Sequence, residues 1–308
     1  MTVPLIIYNS ARNVSYRLDW LIDSGGEGQV WAGIHLPNLP VAIKLVHPTR
    51  NIAEAFASWF RDQDVHLKCI THPNIVQTYD QFFSPRYGWV LVMERANGTL
   101  EDLFAKGRAL DPGVVCAYGC QILWGLNQLH ANGVVHRDLK PKNILMFDRG
   151  VVKLNDFGVA KTGVSVGAIT RTMLGTRHFL PPELHQLGHW SHQSDIYQVG
   201  LILLGLLLGR QVIPSSTDEA TTRRMILDGV PRLIAEGLIP RYGDLAVVLR
   251  HMVCRTESLR WRSALDARLA LWNAWNRLLL PKPQSTSRAK TRSGMGLLES
   301  ALSPSSRR

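Results

Sequence analysis

The 308-residue chain carries 35 Lys and Arg against 24 Asp and Glu, a formal charge of +11. Its composition, 45% apolar and 19% charged, excludes collagen, coiled coil and wholesale disorder and leaves enough apolar side chain for a sizeable core. The basic surplus is uneven: residues 281–308 hold six Lys or Arg against Glu299 alone, so the rest carries a surplus of only +6.

The longest apolar run, Val199 to Leu208, is too short for a membrane-spanning helix, which needs about 20 residues. Met1 to Tyr8 lacks the basic flank and apolar stretch of a secretory signal, so a cytoplasmic protein without a membrane span is expected. Cys69, Cys116, Cys120 and Cys254 form no C-x-x-C pair and are expected to be buried free thiols. His185, His189 and His192 cluster too, but zinc requires more ligands than they offer.

Residues 1–15 are expected to form an arm. Strands are predicted over Tyr16 to Ile22, Val30 to Ile34 and Val41 to Val46, where β-branched and apolar residues dominate. Residues 52–70 repeat apolar side chains at helical intervals, and Ile75 to Phe83 and Gly88 to Glu94 again look like strands. Beyond Asn97-Gly98, helices are predicted over Val114 to His130, Asp195 to Leu208, Ala246 to Cys254 and Ser263 to Leu280. Short strand-like pieces stand at Val134-Val135, Ile144-Leu145 and Val152 to Leu154. After Pro281-Lys-Pro283 the chain turns rich in Ser, Arg, Pro and Thr and is expected to be a basic disordered tail. Lacking aromatic interleaving and an amphipathic face, the tail is expected to be a solvated tether, not a nucleic-acid surface.

The informative stretch is His136-Arg-Asp-Leu-Lys-Pro-Lys-Asn143, followed by Asp156-Phe-Gly158. It resembles the catalytic loop and metal-binding motif of the eukaryotic-like (Hanks-type) Ser/Thr protein kinases, and the similarity runs from about Tyr16 to Trp272. The resemblance implies an α+β, bilobal fold: a small antiparallel β lobe with one long helix (16–95) and a larger, mostly helical lobe (96–272). Residues 273–280 end the last helix. It implies transfer of the ATP γ-phosphate to Ser or Thr of a protein substrate, with Mg²⁺, or Mn²⁺ in its place, and autophosphorylation.

On that resemblance Asp138 is the base, Lys140 and Lys44 hold phosphates, and Asn143 and Asp156 supply oxygen ligands to the metal. Lys44 ends Val41-Ala-Ile-Lys44, and the glycine cluster Gly25, Gly26 and Gly28 precedes Val30. A backbone without Cβ approaches phosphate closely, which is why glycine belongs there. Ala42, Met93, Glu94 and Ala96 correspond to the adenine site, with the backbone of Glu94 and Ala96 on the base edge. Glu183, in Pro181-Pro-Glu183, is expected to be anchored by Arg260 or Arg262, and Asp195 to tie down the catalytic loop. Thr176 corresponds to the threonine that docks substrate, and Thr170 and Thr172 to sites of activating phosphorylation, with Arg137 to pair the phosphate.

Two positions depart from the family pattern. Asp23 replaces the first loop glycine, and Gln63 stands where active kinases have a helix glutamate to pair Lys44, with Asp62, Asp64 and Glu54 nearby. Both favour an alternative, a pseudokinase or ATP-binding scaffold. Retention of Lys44, Asp138, Asn143 and Asp156 favours the enzyme. A small-molecule kinase of related fold usually lacks both the Arg-Asp-Leu-Lys arrangement and the Gly175-Thr176 to Pro182-Glu183 segment. The sequence sets no oligomeric state.

Overall fold

A computed structural model describes residues 5–25, 28–46, 70–156 and 177–279. The predicted helix over 52–70 lies outside them except for Ile70, as do Cys69, Gly26, Gln63 and its acidic neighbours, Thr170, Thr172, Thr176 and the tail.

Six strands form an antiparallel sheet: β1 (Leu5–Asn9), β2 (Val14–Gly25), β3 (Gly28–His35), β4 (Leu39–Val46), β5 (Thr78–Ser84) and β6 (Gly88–Glu94), in the order β1-β2-β3-β4-β6-β5. The described part of the expected arm, residues 5–15, is therefore sheet and hairpin. Ile7 and Asn9 alternate inward from β1, and β1 pairs with β2 through Leu5↔Leu18 to Asn9↔Val14. One face of the sheet carries Ile7, Tyr16, Leu18, Val41, Ile43, Leu45, Val90 and Val92, all buried together. The sheet curls until its outer strands, β1 and β5, come into contact. There the buried Asp80 of β5 accepts hydrogen bonds from Asn9 Nδ2 (2.8 Å) and Tyr16 OH (2.7 Å), and Arg12 reaches its other oxygen at 3.1 Å. Burial and this carboxylate hold the Tyr16 hydroxyl protonated, its pKa well above the usual value.

The second lobe starts with β7 (Gly98–Thr99), which joins β8 (Ile144–Met146) and β9 (Val152–Leu154) in a small sheet. Its helices are α1 (Glu101–Ala105), α2 (Pro112–Ala131), α3 (Pro182–Leu187), α4 (His192–Leu208), α5 (Glu219–Leu227), α6 (Val230–Gly237), α7 (Ile239–Tyr242), α8 (Asp244–Met252) and α9 (Ala264–Leu279). Capping explains the starts of the two longest. Asp111 accepts from Gly113 N–H with Pro112 at the first helical position, and Ser191 with Ser194 forms a capping box. Helix α4 is apolar all round and almost wholly buried, as a central helix must be. Gly119 lets α2 approach its neighbours, since a Cβ there would collide with Leu271 of α9 and Leu203 of α4.

Val134-Val135 forms no strand, and β5 begins at Thr78, after an isolated bridge at Ile75. Those residues serve a different purpose. Val76 N–H donates to Leu154 O (2.9 Å), Leu154 N–H to Asn74 O (2.9 Å), and the Asn74 side chain to Val152 O (2.8 Å), stitching the approach to β5 onto β9. Among the described residues no helix is long and apolar enough to cross a membrane. Cys116, Cys120 and Cys254 are free and buried. Burial pushes the Cys116 and Cys120 thiols up to about 12 and about 11, so neither is reactive near neutral pH.

Candidate active site

The catalytic loop is suspended from α4. Asp195, in the first turn and wholly buried, accepts the backbone N–H groups of His136 (2.8 Å) and Arg137 (2.9 Å) and pairs with His130 Nε2 (2.8 Å). One turn on, Gln198 Oε1 accepts Leu139 N–H at 3.1 Å, and the Leu139 side chain is sealed in the core. From the other side His136 Nε2 meets Asn155 O (3.1 Å), and Asn155 N–H donates to Asn143 O (3.0 Å). Arg137 and Asp156 hold left-handed backbone conformations (φ +67° and +60°). Non-glycine residues adopt these at a cost, and such strain concentrates at functional sites.

This suspension brings the sequence-predicted residues together. Asp138 Oδ2 receives Lys140 Nζ at 2.9 Å and Asn143 Nδ2 at 3.0 Å, while its buried Oδ1 has no hydrogen-bond partner. Asn143 Nδ2 also donates to Asp138 O (2.8 Å), so its amide nitrogen is committed to the loop. Lys44, projecting from β4, pairs with Asp156 Oδ1 at 2.8 Å across the gap between the lobes. The Lys44–Asp156 pair and the Asp138–Lys140–Asn143 group are joined through the Asn155–Asn143 backbone bond, and their carboxylate and amide oxygens are hard donors of the kind that suit a small divalent cation.

Above these groups Ala42, Val76 and Met93 form a small apolar cluster with Val30, Leu91 and Leu145 packed against it. Leu145, from β8, was not a sequence candidate. Its signal is an apolar strand residue two positions past Asn143. At the end of β6 the Glu94 carboxylate binds Lys153 Nζ (2.6 and 2.7 Å) and Gln77 N–H (2.7 Å), and the Glu94 N–H donates to Gln77 O. The Glu94 side chain therefore braces the joint between the lobes against β9, a role that sequence reasoning missed. Ala96 follows in the connecting segment. Gly25 and Gly28 face each other across the β2–β3 turn, and Gly28 (φ +141°) passes so close to Leu45 O that a Cβ there would collide. Asp23, beside them, meets Lys142 Nζ at 2.8 Å.

Glu183 is clamped by Arg260, not Arg262: NH1 and NH2 reach its two oxygens at 2.8 and 2.7 Å, and Ser194 Oγ donates at 2.6 Å. Burial alone raises the carboxyl pKa. The Arg260 hydrogen bonds and charge, with Ser194, outweigh it and leave Glu183 below the usual glutamate value. The grouped histidines separate, His192 stacking on His130 and His189 pairing with Glu257.

Residues 16–255 match the family model for the protein kinase domain. The chain belongs to the protein kinase family. Its kinase domain is 32% identical over 235 residues to the serine/threonine-protein kinase PknL of Mycobacterium tuberculosis, covering 75% of this chain and 59% of that protein. It is 32% identical to the probable serine/threonine-protein kinase PknB of Lactococcus lactis, covering 71% of the chain and 35% of the relative. For the serine/threonine-protein kinase PknA of Corynebacterium glutamicum the identity is 33%, with 71% and 48% covered. The chain thus spans about three fifths of PknL and under half of the other two. Kinase domains as a family work with ATP and a divalent cation. Strand β1 and helix α9 lie outside the matched span.

Proposed function

We propose that the chain is an ATP-dependent Ser/Thr protein kinase, able to autophosphorylate, acting in the cytoplasm on protein hydroxyls. The observation that carries this is the state of Asp138: one carboxylate oxygen is fixed by Lys140 and Asn143, and the other is buried without a partner. A buried acceptor left unpaired costs stability, and a substrate hydroxyl would satisfy it while being oriented for attack. Asn143 and Asp156 would hold the metal, Mg²⁺ or Mn²⁺, because both take hard oxygen donors. Bound MgATP supplies the phosphoryl group and the counter-charge.

Lys44 and Lys140 would leave their carboxylate partners for phosphate oxygens, drawn by the greater charge. Val30, Ala42, Met93 and Leu145 would enclose the adenine, with the Glu94 to Ala96 backbone at its edge and Gly25, Gly26 and Gly28 over the phosphates. Lys140, two residues after Asp138, favours Ser or Thr over Tyr, as do the relatives' names. Thr176 is proposed to dock the substrate hydroxyl, and phosphate on Thr170 or Thr172 to pair with Arg137. Nucleic acid is not a proposed partner, and the three buried free thiols suit a reducing compartment.

The test is transfer of radiolabel from ATP with Mg²⁺ to a generic basic protein, beside Asp138→Ala. Label on Ser or Thr that vanishes in the variant is the expected result. Nucleotide binding without transfer, by wild type and by Gln63→Glu alike, would overturn it in favour of the scaffold that Asp23 and Gln63 suggest.

A further inference from the structure

Strand β2 has 12 residues where β3 has 8, and its pairing slips twice, between Leu18 and Trp20 and between Leu21 and Asp23. Residues directly opposed in antiparallel strands share a face. Trp20 stands opposite Ala32 and Asp23 opposite Val30. Ala32 pairs with Ala42, Val30 with Lys44, and Ala42 with Met93. All of these side chains therefore lie on the face turned to the nucleotide cleft. In an unbroken strand two residues three apart point to opposite faces. The extra residue, Ile22, is what turns Asp23 into the cleft, and bulges commonly re-aim a side chain in this way.

Both re-aimed side chains then reach beyond the sheet. The Arg95 guanidinium, in the segment connecting the lobes, lies 5.3 Å from the centre of the Trp20 ring. Asp23 Oδ2 meets Lys142 Nζ at 2.8 Å. Lys142 belongs to the 3-10 turn Pro141–Asn143, immediately before Asn143 and four residues past Asp138. The end of β2 is thereby tied to the loop that carries Asp138 and Asn143.

We propose that Asp23 and Lys142 form a latch that holds the end of β2 against the catalytic loop and sets the rate at which nucleotide leaves. This rests on the ATP-binding reading above. An aspartate in place of a glycine beside a polyphosphate would repel it. Paired with Lys142, Asp23 is neutralised and the repulsion becomes a tether. Both side chains are nearly half exposed, so the attraction is modest and screened by salt. Such a tether yields at each turnover, whereas a buried pair would trap the product. Asp23 is a positioning residue: it acts through β2 and not on the reacting atoms.

The experiment is a charge-reversal cycle read by stopped-flow release of a fluorescent ADP analogue, alongside KM for ATP and single-turnover phosphoryl transfer. Asp23→Lys and Lys142→Asp should each speed release about fivefold and raise KM, with the single-turnover rate held within about twofold; the double reversal should return release to within about twofold of wild type. Added salt should accelerate release from wild type and leave Asp23→Asn/Lys142→Gln unmoved. That neutral pair also carries the cycle if Lys142→Asp disturbs folding. Release unchanged by either reversal, or single effects that simply add in the double variant, would overturn the latch. Wild-type protein that binds no nucleotide would overturn the ATP reading and the latch together, a result distinct from failed rescue in a protein that binds.

Discussion

Behind the catalytic loop, Arg260 and Glu183 are 0% and 4% exposed, and all five guanidinium N–H groups have acceptors: both Glu183 oxygens and the carbonyls of Cys254, Gln193 and Arg255. In front of it, the Lys44–Asp156 and Lys140–Asp138 pairs are 14% to 28% exposed, and Asp138 keeps an acceptor unused. The first cluster is saturated, so exchanging any partner strands a buried charge. In the second, one acceptor, Asp138 Oδ1, is unfilled among the described residues, so it has another partner to take. Scaffold and active site thus use the same side-chain chemistry, and what separates them is how completely the hydrogen-bonding capacity is filled.

The difference is broken most visibly at its front. Asp138→Ala should lower phosphoryl transfer by about 10²- to 10⁴-fold while thermal unfolding stays near wild type. A matching loss of stability would mean that the front cluster is scaffold as well. At the back the pattern should invert: Arg260→Ala should cost about 3–5 kcal/mol in denaturant unfolding by leaving Glu183 buried and unpaired. A cost under about 1 kcal/mol would show the pair to be dispensable.

The Asp80 clasp tests whether saturation or location matters. It is buried and filled like the back cluster but lies in the sheet lobe. Asp80→Ala, which strands Asn9 and Tyr16, should cost about 2–3 kcal/mol, with Tyr16→Phe costing about half as much. Ser194→Ala is a change of similar size to Tyr16→Phe, about 1–2 kcal/mol. It should also alter the acid limb. Because the Glu183 pKa is depressed on folding, its contribution is present above the usual glutamate range and is lost as pH falls through the folded value. Removing the Ser194 hydroxyl should shift that loss to higher pH, seen as an earlier fall of the denaturation midpoint between about pH 6 and about pH 3. An unchanged profile would mean that Arg260 alone sets the Glu183 charge.

The candidate active site was more legible in the sequence than the elements around it. Asp138, Lys140 and Asn143 lie within six residues of one another, and Asp156 is held by backbone geometry close by, so the short motifs that carry the family resemblance already contained them. Lys44 was visible from its strand. Glu94 with Lys153 and Asp23 with Lys142 were not, because each joins residues whose proximity depends on how the lobes meet. Strand β1 was overlooked because five residues of modest alternation acquire meaning only from the β2 edge they cover. Helices α5 to α7 were missed for a local reason: Gly229, Pro231, Pro240 and Gly243 interrupt them and conceal their short periodicity.

The clasp between β1 and β5 also bears on the order in which the chain acquires its structure. Asn9 and Asp80 are separated by 71 positions, so β1 leaves the ribosome long before its buried polar partner has been synthesised. The β1–β2 hairpin must wait, its inward-facing Asn9 in water, until β5 arrives to complete it. Once that happens the two outermost strands lie beside each other, joined by side chains and not by a backbone ladder. Late closure of this kind lengthens folding through long-range contacts and prolongs the interval in which the unfinished sheet is open to aggregation.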